Sequence, residues 1–191
     1  MAIYTTVDAV KTYLRITTTN DDALLAELGG RASALVEDHC GRRFDTWVET
    51  RTYDAAGPHI TGHTLLLDAD LLSLDALTNA DGTPIDPAAV LLRPVNWPPY
   101  FGISLRETSG LHWAAGDDPA GAIHVSGTWG YSQTVPEGTE HAAVRLAAWL
   151  YRQRDTAADT ALLPRDVREM LVPFIRLRIK AFCGHPAEGT A

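Results

Sequence analysis

The sequence predicts an α+β protein: a helical bundle built from the N- and C-terminal helices, with a β-rich insertion, a small sandwich or barrel, between them. Three observations carry this. Apolar residues recur at spacings of three and four in the first forty or so residues, as on one face of a helix. The same period returns after Pro136. Between the two, from about Asp45 to Tyr131, short apolar runs alternate with Pro, Gly and Asp turn signals. The predicted division is residues 1–44 and 132–183 as the helical core, 45–131 as the insertion and 184–191 as a flexible tail.

The first helix is short. Thr5 or Thr6 caps it, and Val10, Tyr13 and Leu14 share a face. A polar break over Thr17–Asn20 separates it from a longer helix that starts at Asn20 or Asp21. Leu24, Leu25, Leu28, Ala32, Leu35, Val36 and Cys40 form its stripe. Gly29-Gly30 in mid-helix costs roughly 1 kcal/mol per glycine against alanine, and small residues there admit a close neighbour. Gly41 is the expected stop.

In the insertion, Thr64–Leu67, Leu71–Leu77, Ala89–Leu92, Ile103–Leu105 and Ile123–Val125 read as strands, the last within an alternating stretch from Gly121 to Tyr131. Asp81-Gly82 marks a hairpin turn. Trp97-Pro98-Pro99-Tyr100 is an extended loop, because neither proline fits inside a helix. After Pro136, the stripe Ala143, Leu146, Ala147, Leu150 and Tyr151 predicts the third helix. Asp155–Thr160 is a polar linker. Pro164 opens the last helix, with Val167, Met170, Leu171, Phe174 and Ile175 inward and Pro173 kinking or splitting it.

Composition narrows the function. The 191 residues carry a net charge of −8. Residues 45–131 hold three Arg against eleven acids, whereas residues 164–182 are net basic. A general DNA-binding surface needs clustered Lys and Arg, and this chain has only Lys11 and Lys180 of the former. The asymmetry suits packing against copies of itself or an acidic partner. Cys40 and Cys183 make no disulfide framework. The opening residues have neither the basic start nor the apolar stretch of a signal peptide. No apolar run approaches the ~20 residues of a membrane span. The expectation is a protein that is cytosolic when made, with no membrane partner.

No catalytic constellation emerges, and no cofactor is expected. His59 and His63 are four apart, but Pro58 and Gly62 argue against the helix that would make them metal ligands. No G-x-S-x-G elbow and no P-loop is present. Asp68 with Asp70, and Asp117 with Asp118, are possible cation pairs, although Asp near turns commonly serves local hydrogen bonds. Trp97, Tyr100, Phe101, Trp113, Trp129 and Tyr131 are read as core and subunit-contact aromatics.

Two stretches resemble a known family. The first is Tyr4-Thr5-Thr6-Val7-Asp8-Ala9-Val10-Lys11-Thr12-Tyr13-Leu14-Arg15-Ile16, then Asn20-Asp21-Asp22-Ala23-Leu24-Leu25, closing on Cys40-Gly41-Arg42-Arg43-Phe44. The second runs from Val135-Pro136-Glu137 through Ala142–Arg152 to Leu163-Pro164-Arg165-Asp166-Val167 and Leu171-Val172-Pro173-Phe174. Together they resemble the opening and closing helices of tailed-bacteriophage head–tail connector, or adaptor, proteins, over about half the chain. The insertion is longer here than in compact members, and Phe174 replaces a family tyrosine.

The resemblance implies a structural virion protein, not an enzyme. It implies a ring, twelve copies in the virion, docked on the portal protein and presenting a platform to a stopper or tail-completion protein. Double-stranded DNA passes through its channel without sequence-specific binding. By the same resemblance Arg165, Arg168, Phe174, Arg176, Arg178 and Lys180 meet the portal. Charge reversal at Arg176 and Arg178 is expected to weaken that docking. Two other readings remain open on the residues alone. One is a β-rich carbohydrate- or protein-binding module displaying the aromatics. The other is a small metal-dependent hydrolase using Asp117, Asp118 and nearby histidines.

Overall fold

The computed structural model describes residues 2–114, 123–154 and 163–176. Helices and antiparallel strands segregate along the chain, as in α+β proteins. The chain forms two compact units. One comprises the residues up to Asp45 together with Ser132–Arg176; the other is Thr46–Tyr131.

The helical unit begins with α1 (Val7–Leu14), where the Thr6 hydroxyl accepts a hydrogen bond from the Ala9 N–H at 3.1 Å. Arg15 ends it in the left-handed region, at φ 60°. α2 (Asp22–Cys40) ends at Gly41, whose φ of 64° suits glycine. Its buried face is Leu25, Leu28, Gly29, Ala32, Ser33, Val36 and Cys40. α3 (Glu137–Arg152) buries Ala142, Ala143, Leu146, Ala147 and Leu150 and packs on α1, α2 and α4. α4 (Arg165–Leu171) buries Val167 and Leu171, then tightens into a 3-10 turn over Val172–Phe174. Pro173 therefore splits the pattern, since it has no N–H to continue an α-helix. The expected inward stripe runs one residue too far: beyond that break Ile175 is exposed.

The segment before α1 is clamped to α2. The Tyr4 N–H donates to Ser33 Oγ at 2.9 Å, and Ser33 Oγ donates to the Gly29 carbonyl at 2.8 Å. A Cβ on Gly29 would lie 3.1 Å from Thr5 Cγ2, so glycine here permits the close approach. The Tyr4 hydroxyl donates to Glu37 and accepts from the Phe44 N–H at 3.0 Å. The Phe44 ring is fully buried, edge-on to Tyr4 at 5.7 Å and to Phe174 at 6.0 Å. At the other end of α2, the Tyr151 hydroxyl donates to Asp21, and Lys11 pairs with Asp22 at 2.7 Å.

The sheet unit holds seven strands: β1 (Trp47–Tyr53), β2 (Ile60–Thr61), β3 (Thr64–Thr78), β4 (Pro84–Ile85), β5 (Val90–Arg93), β6 (Tyr100–Leu105) and β7 (Ile123–Trp129). Among the described residues they form one antiparallel sheet in the order β1-β7-β3-β6-β5, with β2 and β4 also pairing on β3. The two runs Thr64–Leu67 and Leu71–Leu77 are one strand of 15 residues. Its first half pairs with β6 and its second half with β7, with register shifts at Leu66/Leu71, Leu71/Ser73 and Leu74/Ala76. Alternate residues Leu65, Leu67, Ile103, Leu105, Ile123, Val125 and Trp129 fill the core. Gly127 marks the crowded point, because a Cβ there would sit 2.2 Å from the Ser73 carbonyl oxygen and 3.0 Å from Leu71 Cδ1. The β3–β4 turn is closed by Asn79 and Thr83, with Gly82 at φ 80° and Asp81 accepting from the Thr83 N–H at 2.9 Å.

Candidate functional site

On the sheet unit, a polar cluster joins side chains of β1 to Asp68 of β3, a strand with which β1 does not pair. Arg51 grips Asp68 through Nε at 3.1 Å and Nη2 at 2.7 Å, and the Tyr53 hydroxyl donates to Asp68 at 2.7 Å. Arg51 also reaches Glu49 at 3.2 Å. Burial works to raise the Asp68 carboxyl, but the bonds from Arg51 and Tyr53 prevail and hold it below the usual carboxylate range. Burial and the bonded carboxylate push the Tyr53 phenol up. The Asp68–Asp70 cation reading is corrected here: both Asp68 oxygens are engaged by Arg51 and Tyr53, and Asp70 is turned into the protein. Regular alternation would put residues two apart on one face, but the register shift between Leu66 and Leu71 breaks it, leaving Asp68 exposed and Asp70 buried.

The histidine pair is likewise divided. His59 stacks edge-on against Tyr53 at 5.4 Å, with Nδ1 3.1 Å from the Leu66 carbonyl, whereas His63 lies beside His112 at 5.8 Å. Among the described residues no group of three or more His, Cys, Asp or Glu could hold a metal ion. Asp117 and Asp118 lie outside the described residues. Burial pushes the Cys40 thiol up to about 11, so it stays protonated within α2.

The aromatic set is split between core and surface. Trp129 is 0% exposed, its indole N–H donates to the Glu49 carbonyl at 2.9 Å, and Arg51 lies 5.4 Å from its ring. It belongs to the core of the sheet unit, so its side chain is withdrawn from the subunit-contact set. Tyr100 and Trp113 pack against the same core from its margin, and Tyr131 is half-buried. Trp97 and Phe101 are 75% and 42% exposed; Trp97 and the exposed Val95 lie on the β5–β6 loop, and Phe101 lies in β6.

In the helical unit, Arg165 and Arg168 lie on the exposed side of α4, with Arg165 paired to Glu169 one turn on at 2.8 Å. Asp166 pairs with Arg145 of α3. Phe174 contributes its edge to Phe44, and the Arg176 N–H donates to the Cys40 carbonyl at 2.8 Å, so both help hold the unit together. Arg178 and Lys180 lie outside the described residues. Two features escaped the sequence reading. β1 was not anticipated, although Glu49, Arg51 and Tyr53 alternate as a strand requires; nor was the Arg51–Asp68–Tyr53 cluster, which joins residues far apart in sequence.

The chain is similar in sequence and in fold to known proteins. Residues 4–63, from the clamped Tyr4 to the β2–β3 turn, match the family model of phage gp6-like head-tail connector proteins. The chain shares its fold with a chain in the neck of an empty GTA particle computed with C6 symmetry, at 21% identity and TM-score 0.59, over 91% of this chain and 90% of that one. It matches a chain in the virion of the native gene transfer agent particle at 21% identity and TM-score 0.61, with the same coverage. A third match, in the neck of the native GTA particle computed with C12 symmetry, has 20% identity and TM-score 0.57 over 94% of each chain. No curated protein matches. Residues 4–63 therefore carry the signature of the phage gp6-like head-tail connector proteins, and the chain shares its fold with these particle chains.

Proposed function

We propose that this chain is a ring-forming subunit of the neck of a tailed phage or phage-like particle, with twelve copies in the virion. The carrying observation is one chain that combines the connector signature over residues 4–63 with a fold shared, over nine-tenths of its length, with chains of particle necks. In this reading residues 1–44 and 132–183 are the scaffold, a helical bundle closed by both chain ends, and residues 45–131 are an insertion facing neighbouring copies or the next neck protein. The ring docks on the portal protein, extends the DNA channel and offers a platform to a stopper or tail-completion protein. Chains accumulate in the host cytoplasm before joining the virion.

Arg165 and Arg168, both exposed, are assigned to the portal-facing surface with Phe174, Arg176, Arg178 and Lys180. Trp97, Tyr100, Phe101, Trp113 and Tyr131 are assigned to contacts between subunits. The work of such a protein is assembly. Its specificity rests on shape and charge matching, and the net negative charge lets DNA move past without adhering.

Electron microscopy of the purified full chain, alone and with portal protein, tests the reading. The expected result is twelve-fold rings that cap the portal. A monomer at every concentration, with and without portal, rejects it.

A further inference from the structure

The sheet unit is strongly acidic, and its only lysine or arginine side chains are Arg51, Arg93 and Arg106. Arg51 is spent on Glu49 and Asp68. Arg93 and Arg106 form no ion pair among the described residues, and both line one open pocket of about 420 Å³. The pocket lies on the face of the sheet away from the core. Thr64, Ser104 and Leu91 stand opposite one another across β3, β6 and β5, while their neighbours Leu65, Ile103 and Val90 point into the core.

Each guanidinium is held by its inner nitrogen to a neutral acceptor. Arg93 Nε donates to Ser104 Oγ at 3.1 Å, and Arg106 Nε donates to the Ala88 carbonyl at 3.1 Å. Ser104 is itself buried and bonded to Thr64 Oγ1 at 2.8 Å. The terminal Nη nitrogens of both arginines have no partner among the described residues. Two anchored forks of this kind match a carboxylate or phosphate in geometry, and their side-chain entropy is already partly spent. Glu107 on the rim is the one acid lining the pocket, and it is exposed.

We infer that the Arg93–Arg106 pocket is an oxyanion site that receives a side-chain carboxylate from a second copy of this chain. This rests on the ring reading above. A DNA phosphate shares this chemistry, and the retention assay below separates the two; in the ring reading each subunit meets a copy of itself, which makes a neighbour's carboxylate the choice. A closed ring needs a head-to-tail contact, in which a patch on one side of a subunit meets a different patch on the other. The complementary patch is Asp75. It is exposed, it sits at the β3 register shift between Leu74 and Ala76, and its carboxylate has no partner among the described residues. It lies eleven positions along β3 from Thr64, roughly 35 Å of strand contour, and does not line its own pocket.

Sedimentation velocity of the full chain tests this, with circular dichroism confirming each variant's fold. Arg93→Gln with Arg106→Gln is expected to weaken ring assembly on the order of tenfold or more, as removal of an interfacial charge partner does. Asp75→Lys is expected to do the same. Combining Asp75→Lys with Arg93→Glu and Arg106→Glu is expected to restore rings. Rings formed equally by the double Gln variant overturn the pocket while leaving the ring reading intact. Failure of the charge-swapped variant to reassemble overturns Asp75 as its carboxylate. Intact rings that instead lose retention of duplex DNA identify phosphate as the ligand and overturn the proposal. A wild-type chain that never assembles, with or without portal, overturns the ring reading and this inference together.

Discussion

Replacing Phe44 by alanine tests what locks the ends of the helical unit together. Phe44 is fully buried and stands between Tyr4, from the segment before α1, and Phe174, from the turn after α4. Truncating a buried Phe to Ala costs about 3–5 kcal/mol in transfer and cavity terms. Two edge-to-face partners place this site in the upper part of that range, because each such pair is worth about 0.5–1.5 kcal/mol beyond its area. Since these contributions overlap, we expect a loss of about 4 kcal/mol. Against a total of about 5–15 kcal/mol for a domain, that leaves the helical unit marginal. Guanidinium denaturation read by helical circular dichroism measures it, with Trp149 fluorescence as a second probe, since the other tryptophans lie in the sheet unit. Phe44→Leu, which keeps most of the volume, is expected to lose about 1–1.5 kcal/mol. A Phe44→Ala loss below about 1 kcal/mol refutes the lock.

Gly127→Ala is expected to destabilise the sheet unit by about 2–3 kcal/mol, because the new methyl meets a backbone carbonyl and β7 has to shift against β3; thermal unfolding followed by near-ultraviolet circular dichroism checks this, and an unchanged midpoint contradicts it. Asp68 has a lowered folded pKa, so its contribution is fully present above the ordinary carboxyl value and is lost as pH falls through the lower folded value. Asp68→Asn should therefore flatten the acid limb of the sheet unit's stability profile, and an acid limb as steep as wild type's would show that other carboxylates carry it.

The helices were legible because their evidence is local. Thr6, Gly41 and Pro173 are start, stop and break signals whose chemistry acts within a turn or two, and each acts where its residue type predicts. Ile175 misled because a period read from sequence continues on paper past the proline that ends the helix. β3 was read as two strands because Asp68-Ala69-Asp70 looks like a turn. Only the tertiary partners Arg51 and Tyr53 make an aspartate acceptable on an extended strand at that point. For Trp129 the sequence leaves core and subunit contact undivided, because a tryptophan near turns reads the same for both; its indole bond to the Glu49 carbonyl depends on a β1–β7 pairing that spacing does not reveal. The Arg93–Arg106 pocket was invisible for a similar reason. Its two arginines are separated by the Trp97 loop and line one pocket only because β5 pairs with β6.

The length of β3 has a mechanical consequence. One half of the strand is zipped to β6 and the other to β7, so neither flank can peel away without exposing backbone amides of a strand its counterpart also needs. The insertion should therefore open all at once, with amide hydrogens at Leu65 and Leu77 exchanging at matching free energies. A tug on the β5 edge is then met as shear along a shared spine rather than as unzipping of one hairpin.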